Sequence, residues 1–291
     1  MNDHPNFAYH EDTNLFRGAI RFTSAETGFS ERLIEKDYYC SVALQDLCPP
    51  DNSELVFKGG TCLSKAHTNF VRLSEDLDFA ISTPAILSRS ERSRRIRGFK
   101  EHLSGLSERR PCFRIDEALR GFNNSTQYAC RLAYTSALTG QNDFIKVEVS
   151  VREPIVEPAK PIAVTTLILD PFRNAAVVAP FNMRVLSMRE AYAEKLRAAM
   201  TRREPMIRDF FDLDHAFLTR NIDTADAVLT KLLETKLSIP ATEPVDISLE
   251  KLGHLRTQVE TQLRPVLREP DFEKFDLDRA FGLVAQVAEQ L

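Results

Sequence analysis

The stretch from residue 55 to residue 81 constrains this chain more than any other. Leu55-Val56-Phe57 is a short apolar run closed by Gly59-Gly60. It reads as a buried strand ending in a tight turn. From Thr61, placed to cap a first turn, Leu63, Ala66, His67 and Phe70 recur at helical spacing. Asp76-Leu77-Asp78-Phe79-Ala80-Ile81 then alternates with period two, which predicts a second strand. Side chains two apart on a strand share a face. Asp76 and Asp78 therefore point one way, and Leu77, Phe79 and Ile81 point the other way, into a core.

Two carboxylates side by side repel each other unless something compensates them, and a divalent cation is the usual compensation. A Gly-Gly-Thr turn opening a helix offers backbone N–H groups to a phosphate. Either signal alone is weak, because an Asp-x-Asp pair is more often a solvated strand edge. The order strand, Gly-Gly-Thr, helix, Asp-x-Asp strand is far more specific. It is neither a Walker loop nor a dinucleotide fingerprint. It is the layout that metal-assisted transfer of a nucleotidyl or phosphoryl group requires.

With 291 residues the chain has room for one large domain or two small ones. A net charge of −4 excludes a polycation, so any nucleic-acid contact must use a local patch. No apolar run approaches the length of a membrane span, and the N-terminus lacks the regions of a signal peptide. The five cysteines form no Cys-x-x-Cys, and the six histidines show no zinc-ligand spacing. These features predict a cytoplasmic protein with reduced thiols and no structural zinc; Cys62 reads as a small buried apolar residue.

Residues 1 to 25 read as a short helix or arm. Residues 28 to 47 carry Phe29, Leu33, Tyr38, Val42 and Leu47 at roughly helical intervals. Within them, Ile34-Glu35-Lys36-Asp37-Tyr38 reads as an exposed charge pair beside a core aromatic, and Pro49-Pro50-Asp51-Asn52 ends the helix. From Arg89 to Arg114 nine Lys/Arg stand against three Glu. That run, with Arg92, Arg94, Arg95 and Arg97 at its centre, is either a solvated helix face or a surface that tracks RNA phosphates. Residues 127 to 137 and 144 to 151 alternate around Gly140-Gln141-Asn142-Asp143, which predicts two antiparallel strands and a turn. On the second strand Phe144, Lys146, Glu148 and Ser150 share one face. Prolines crowd residues 152 to 180, with one more strand between them, and place a domain boundary near 180. Beyond it the chain reads as helical, opening with a capping box at Ser187 and Glu190. Lys195 falls on the apolar stripe of that helix, so its stem snorkels to solvent or its ammonium meets anions. Asp209 and Asp212 share a face of the next helix.

Four elements in order resemble the AbiEii/MenT nucleotidyltransferase toxins of bacterial toxin–antitoxin pairs. They are Lys58-Gly59-Gly60-Thr61-x-Leu63-Ser64, Arg72-x-Ser74-x-Asp76-Leu77-Asp78-Phe79, Lys146-x-Glu148, and Glu194-Lys195-Leu196 followed by Arg208-Asp209-x-x-Asp212. The resemblance covers about residues 28 to 215, and the helices after that carry no chemistry of their own. It implies an α+β fold: a polymerase-β-like nucleotidyltransferase domain with a mixed central sheet over residues 1–180, then a C-terminal helical domain over 181–291 contributing to the nucleotide site. It implies Asp76, Asp78 and Glu148 as ligands of Mg²⁺ or Mn²⁺, with an NTP as co-substrate. Catalysis falls to these three with Lys195 and Asp209. Lys58, Gly59, Gly60, Thr61, Ser64, Lys65, Ser74, Lys146 and Asp212 are the implied nucleotide contacts. The implied reaction is transfer of NMP to RNA, at the 3′ end of tRNA, with a separate antitoxin as partner and no membrane. The alternatives are nucleotidylation of a protein or small molecule, or a non-catalytic binding module.

Overall fold

The structure is a computed structural model that describes residues 9–48, 54–219 and 221–291. It divides into two compact units at Leu186/Ser187. The expected stop at Pro49-Pro50-Asp51-Asn52 lies outside the described residues, as does the start of the N-terminal arm.

The first unit opens with helix α1 (Thr13–Thr27), capped by the Asp12 carboxylate and ended by Gly28 in the left-handed conformation. Helix α2 (Glu31–Leu47) follows, buried almost all round from Leu33 to Leu44. Strand β1 (Leu55–Lys58) runs into one helical turn, α3 (Gly59–Cys62), then a wider π turn over Leu63–His67. The expected helix reaches Phe70, but the observed one stops at His67. Asn69 and Phe70 both have positive φ, and the Thr68 N–H bonds five residues back to Leu63. Next come β2 (Leu77–Ile81), the short helices α4 (Arg89–Arg95), α5 (Arg97–Ser104) and α6 (Leu106–Arg109), and the strands β3 (Arg114–Phe122), β4 (Gln127–Thr135) and β5 (Asn142–Ser150). The chain continues with β6 (Lys160–Val164), β7 (Leu169–Asp170), β8 (Ala175–Ala176) and β9 (Phe181–Val185). Neither β3 nor β9 is among the strands expected from alternation. Because β9 pairs with β1 and β6, the unit extends past residue 180 to Leu186.

Seven strands form one mixed sheet in the order β3-β4-β5-β2-β1-β9-β6. The β2/β5 and β1/β9 pairs are parallel, and the rest are antiparallel. Register sets the faces. Phe57, Phe79 and Val149 lie opposite one another on β1, β2 and β5, and all three are buried. The next row along is Lys58, Asp78 and Glu148. Alternation on β5 is as expected: Ile145, Val147, Val149 and Val151 are fully buried.

The second unit is helical: α7 (Met188–Thr201), α8 (Ile207–Leu218), α9 (Ala227–Leu237), α10 (Leu249–Gln258), α11 (Glu269–Lys274) and α12 (Leu277–Ala288). Ser187 caps α7 by accepting from the Glu190 N–H, the first half of the expected capping box, and the Glu190 carboxylate lies 2.7 Å from the Lys236 ammonium. Within this unit, Phe210 of α8 stacks on Phe281 of α12 at 5.9 Å. The Lys251 ammonium closes the C-terminal end of α7, donating to the Ala199 and Met200 carbonyls.

Candidate active site

The sheet brings one polar row together. Asp78 is the register partner of Lys58 on β1 and of Glu148 on β5, so the three project from one face on neighbouring strands. Asp76 precedes β2 by one residue, and both aspartates are half-buried. Glu148 is half-buried as well, and its carboxylate lies 3.1 Å from the Lys146 ammonium.

Glycine is required at the turn facing this row. Gly59 has φ +76°, and a Cβ there would fall 2.2 Å from Asp78 Oδ2 and 2.8 Å from Asp78 Cβ. A Cβ on Gly60 would lie 2.6 Å from Arg72 Nη2 and 2.9 Å from Ser74 Oγ. The double glycine thus lets the backbone lie against the segment that delivers Asp76 and Asp78. Two hydroxyls fasten the same segment: Thr61 donates to the Asp76 carbonyl, and Ser64 donates to the Arg72 carbonyl at 2.7 Å.

These bonds correct several expectations. Thr61 does not cap the helix, since α3 begins at Gly59 with Lys58 in the cap position. The hydroxyls of Thr61 and Ser64 are buried and donate to backbone carbonyls, so they hold the chain. Lys65 has no exposed side-chain surface. Its ammonium lies 2.6 Å from Asp37 Oδ1 and donates to Ser41 Oγ at 2.7 Å, so it is committed to α2. Glu35-Lys36-Asp37 is not an exposed charge pair either: all three residues are buried.

The basic stretch divides into two parts. Arg92 is buried, with one nitrogen directed at the Asn124 carbonyl at 3.4 Å. Arg109 and Arg110 are spent on Asp46 of α2, at 2.7 Å and 3.6 Å. Arg94, Arg95 and Arg97 are exposed. Arg94 and Arg95 border a cavity of about 780 Å³ with Glu54, Ile81 and Phe99. That cavity meets β2 at Ile81, three residues beyond Asp78, which is about 10 Å along a strand.

In the helical unit Lys195 meets anions, but they are its own. Its ammonium lies 2.7 Å from Asp209 and 2.8 Å from Asp212, and Arg202 takes the other oxygen of Asp209 at 2.7 Å. Burial pushes the Asp209 carboxyl up, but Lys195 and Arg202 outweigh it and hold the group below the usual carboxylate range.

Among the described residues no three His, Cys, Asp or Glu side chains stand close enough together to hold a metal ion. The donor set still fits one. Asp76, Asp78 and Glu148 carry the hard oxygen donors that such an ion takes, with Asp78 and Glu148 opposite each other across β2 and β5 and Asp76 just ahead of β2.

A family model for the "Nucleotidyl transferase AbiEii toxin, Type IV TA system" matches residues 42–281. The chain belongs to this family of nucleotidyltransferase toxins. The AbiEii match runs well past residue 215, so the C-terminal helices are part of the family's architecture rather than an addition to it. A crystal structure of a "putative nucleotidyltransferase" from H. pylori is similar with a TM-score of 0.53 at 15% identity, covering 90% of this chain and 95% of that one. The crystal structure of JHP933 from Helicobacter pylori is similar with a TM-score of 0.53 at 16% identity, covering 90% of this chain and 92% of that one. At these identities the likeness is one of fold. No curated protein matches the chain. As an AbiEii nucleotidyltransferase the chain is an enzyme using an NTP and paired with an antitoxin, and the non-catalytic alternative falls. None of its described helices is long and apolar enough to cross a membrane.

Proposed function

We propose that this toxin acts in the cytoplasm and transfers a nucleoside monophosphate from an NTP to the 3′ hydroxyl of an RNA, with tRNA as the acceptor class, and so arrests translation. The observation that carries the reading is the register of Asp78 with Glu148, with Gly59 packed against the Asp78 carboxylate. That arrangement sets the carboxylate row beside a turn whose two glycines carry no side chains of their own, which suits backbone contact with a triphosphate. Asp76, Asp78 and Glu148 would hold Mg²⁺ or Mn²⁺, which supplies charge neutralisation at the transferred phosphoryl group. The residues of the chain do the rest. Gly59, Gly60 and Ser74 admit the phosphates, and Lys58 and Lys146 flank them with positive charge. The acceptor hydroxyl gives its proton to a carboxylate of the row as its oxygen bonds to the α-phosphorus. The bond to the bridging oxygen breaks, and pyrophosphate leaves. Arg94, Arg95 and Arg97 supply a salt-sensitive surface for the RNA backbone. From the resemblance we assign Lys195 to the nucleotide phosphates and Asp209, with Asp212, to the wall of the site.

The test uses purified protein, Mg²⁺, each α-labelled NTP in turn and total bacterial tRNA, with Asp76→Asn alongside. Label on tRNA with the wild type alone supports the reading and names the donor base. Label on protein or small molecules instead of RNA replaces the acceptor.

A further inference from the structure

Glu35, Lys36 and Asp37 are consecutive on α2 and are 1%, 6% and 2% exposed. Successive helical positions point about 100° apart, so three in a row cannot serve one partner. Each reaches a different segment. The Glu35 carboxylate accepts from the Ser136 hydroxyl at 2.7 Å and the Ala137 N–H at 2.5 Å, in the turn between β4 and β5. The Lys36 ammonium donates to Asp143 at 3.0 Å, near the start of β5, and lies 3.5 Å from Glu75, the residue before Asp76. Asp37 meets Lys65, on the helical turns that begin at Gly59, and accepts from the Leu167 N–H at 3.0 Å.

Three segments around the carboxylate row are therefore tied to one helix: the strand of Glu148, the approach to Asp76, and the turns after the double glycine. Stability alone does not explain this. Buried charges are costly to desolvate, and apolar side chains of the same volume often serve a core better. What a charged hydrogen bond adds is a fixed length and direction. We propose that Lys36 is a positioning residue for the carboxylate row: through Asp143 and Glu75 it sets the strand of Glu148 against the approach to Asp76, while the Asp37–Lys65 pair seats the glycine turn. The inference rests on Asp76, Asp78 and Glu148 being the metal-holding row; Lys36 itself touches neither metal nor substrate.

The experiment measures Mn²⁺ binding by the electron paramagnetic resonance of the free ion, in the presence of a non-hydrolysable NTP. Wild type, Lys36→Met, Lys36→Arg and Asp78→Asn are compared at a temperature where melting curves show each folded. Lys36→Met is expected to weaken Mn²⁺ binding by about tenfold or more, as loss of a group that orients metal ligands does, and Lys36→Arg to restore most of it. In the transfer assay Lys36→Met lowers kcat while the KM for NTP stays within about threefold, the pattern of misplaced catalytic groups. If Lys36→Met does not fold, Glu75→Gln stands in for it: this side chain is 23% exposed, and its loss cuts one of the two Lys36 links. A folded Lys36→Met with wild-type Mn²⁺ affinity and kcat overturns the proposal, as does a folded Glu75→Gln that binds and transfers like wild type. Wild type binding Mn²⁺ no better than Asp78→Asn overturns the row itself, and the positioning role with it.

Discussion

Replacing Gly59 by alanine tests the site at its tightest point. Alanine at φ +76° is in the left-handed region, which costs about 1–2 kcal/mol for an L residue. The new methyl also meets Asp78. Its Oδ2 at 2.2 Å can swing aside, but Cβ at 2.8 Å and Cγ at 2.9 Å move only if β2 or the turn shifts. Overpacking of that kind costs about 1–3 kcal/mol more. The total is about 2–5 kcal/mol, or a fall in Tm of at least about 4 °C for a unit of this size. Gly18 is the matched control. It lies exposed inside α1 with nothing within 4 Å of a built Cβ, so Gly18→Ala raises stability by about 0.5–1 kcal/mol. Thermal melting reads both variants, and the transfer assay on folded Gly59→Ala reads the displaced Asp78, with activity expected to fall at least about tenfold. Gly59→Ala melting within about 1 °C of wild type and transferring normally would refute the close approach on which the site is built.

Charge and pH give three further tests. Burial pushes the Glu35 carboxyl up, so its stability contribution is fully present below the ordinary value of 4.5 and is lost as pH rises through the folded value. Glu35→Gln keeps the hydrogen-bonding shape and removes that loss; urea titrations should show the variant gaining on wild type above pH 4.5, and parallel pH profiles would count against the burial argument. Asp209 has the opposite sign: desolvation opposes it, but Lys195 and Arg202 hold it below its ordinary 3.8, so its contribution is present above 3.8 and lost as pH falls through the folded value. Asp209→Asn should therefore lower stability at neutral pH, with the gap closing only in strong acid. For RNA, Arg94→Ala/Arg95→Ala should weaken tRNA binding and flatten the dependence of log K on log salt by about 0.7–0.9 for each phosphate no longer neutralised. An unchanged slope removes these arginines from the RNA surface. Arg92→Ala, by contrast, should act on the melting temperature, because that guanidinium is buried.

How far the site is legible in the sequence depends on where each residue's partners lie. Period-two alternation is enough to put Asp76 with Asp78, and Glu148 with Lys146, on the polar faces of two strands, because that inference needs only neighbours in the chain. The parallel register of Asp78 with Glu148 joins segments with three helices and two strands between them, and local pattern carries no trace of it; the family resemblance points to Glu148 instead. The charged run on α2 misleads for the same reason. Glu35, Lys36 and Asp37 look exposed by residue type, and only partners such as Asp143, 107 residues from Lys36, make their burial tolerable. Thr61, Ser64 and Lys65 mislead in the other direction. Their types suit a phosphate, but they sit on a buried helical turn, where each polar group must be satisfied by the chain itself. A polar residue beside a glycine turn is thus a ligand candidate only if its neighbours leave it free to turn outward. On this turn Thr61 and Ser64 tie the chain to the segment that delivers Asp76 and Asp78, and Lys65 ties it to α2. The residues that resemble ligands hold the turn in place, and the residues without side chains let it lie against the carboxylates.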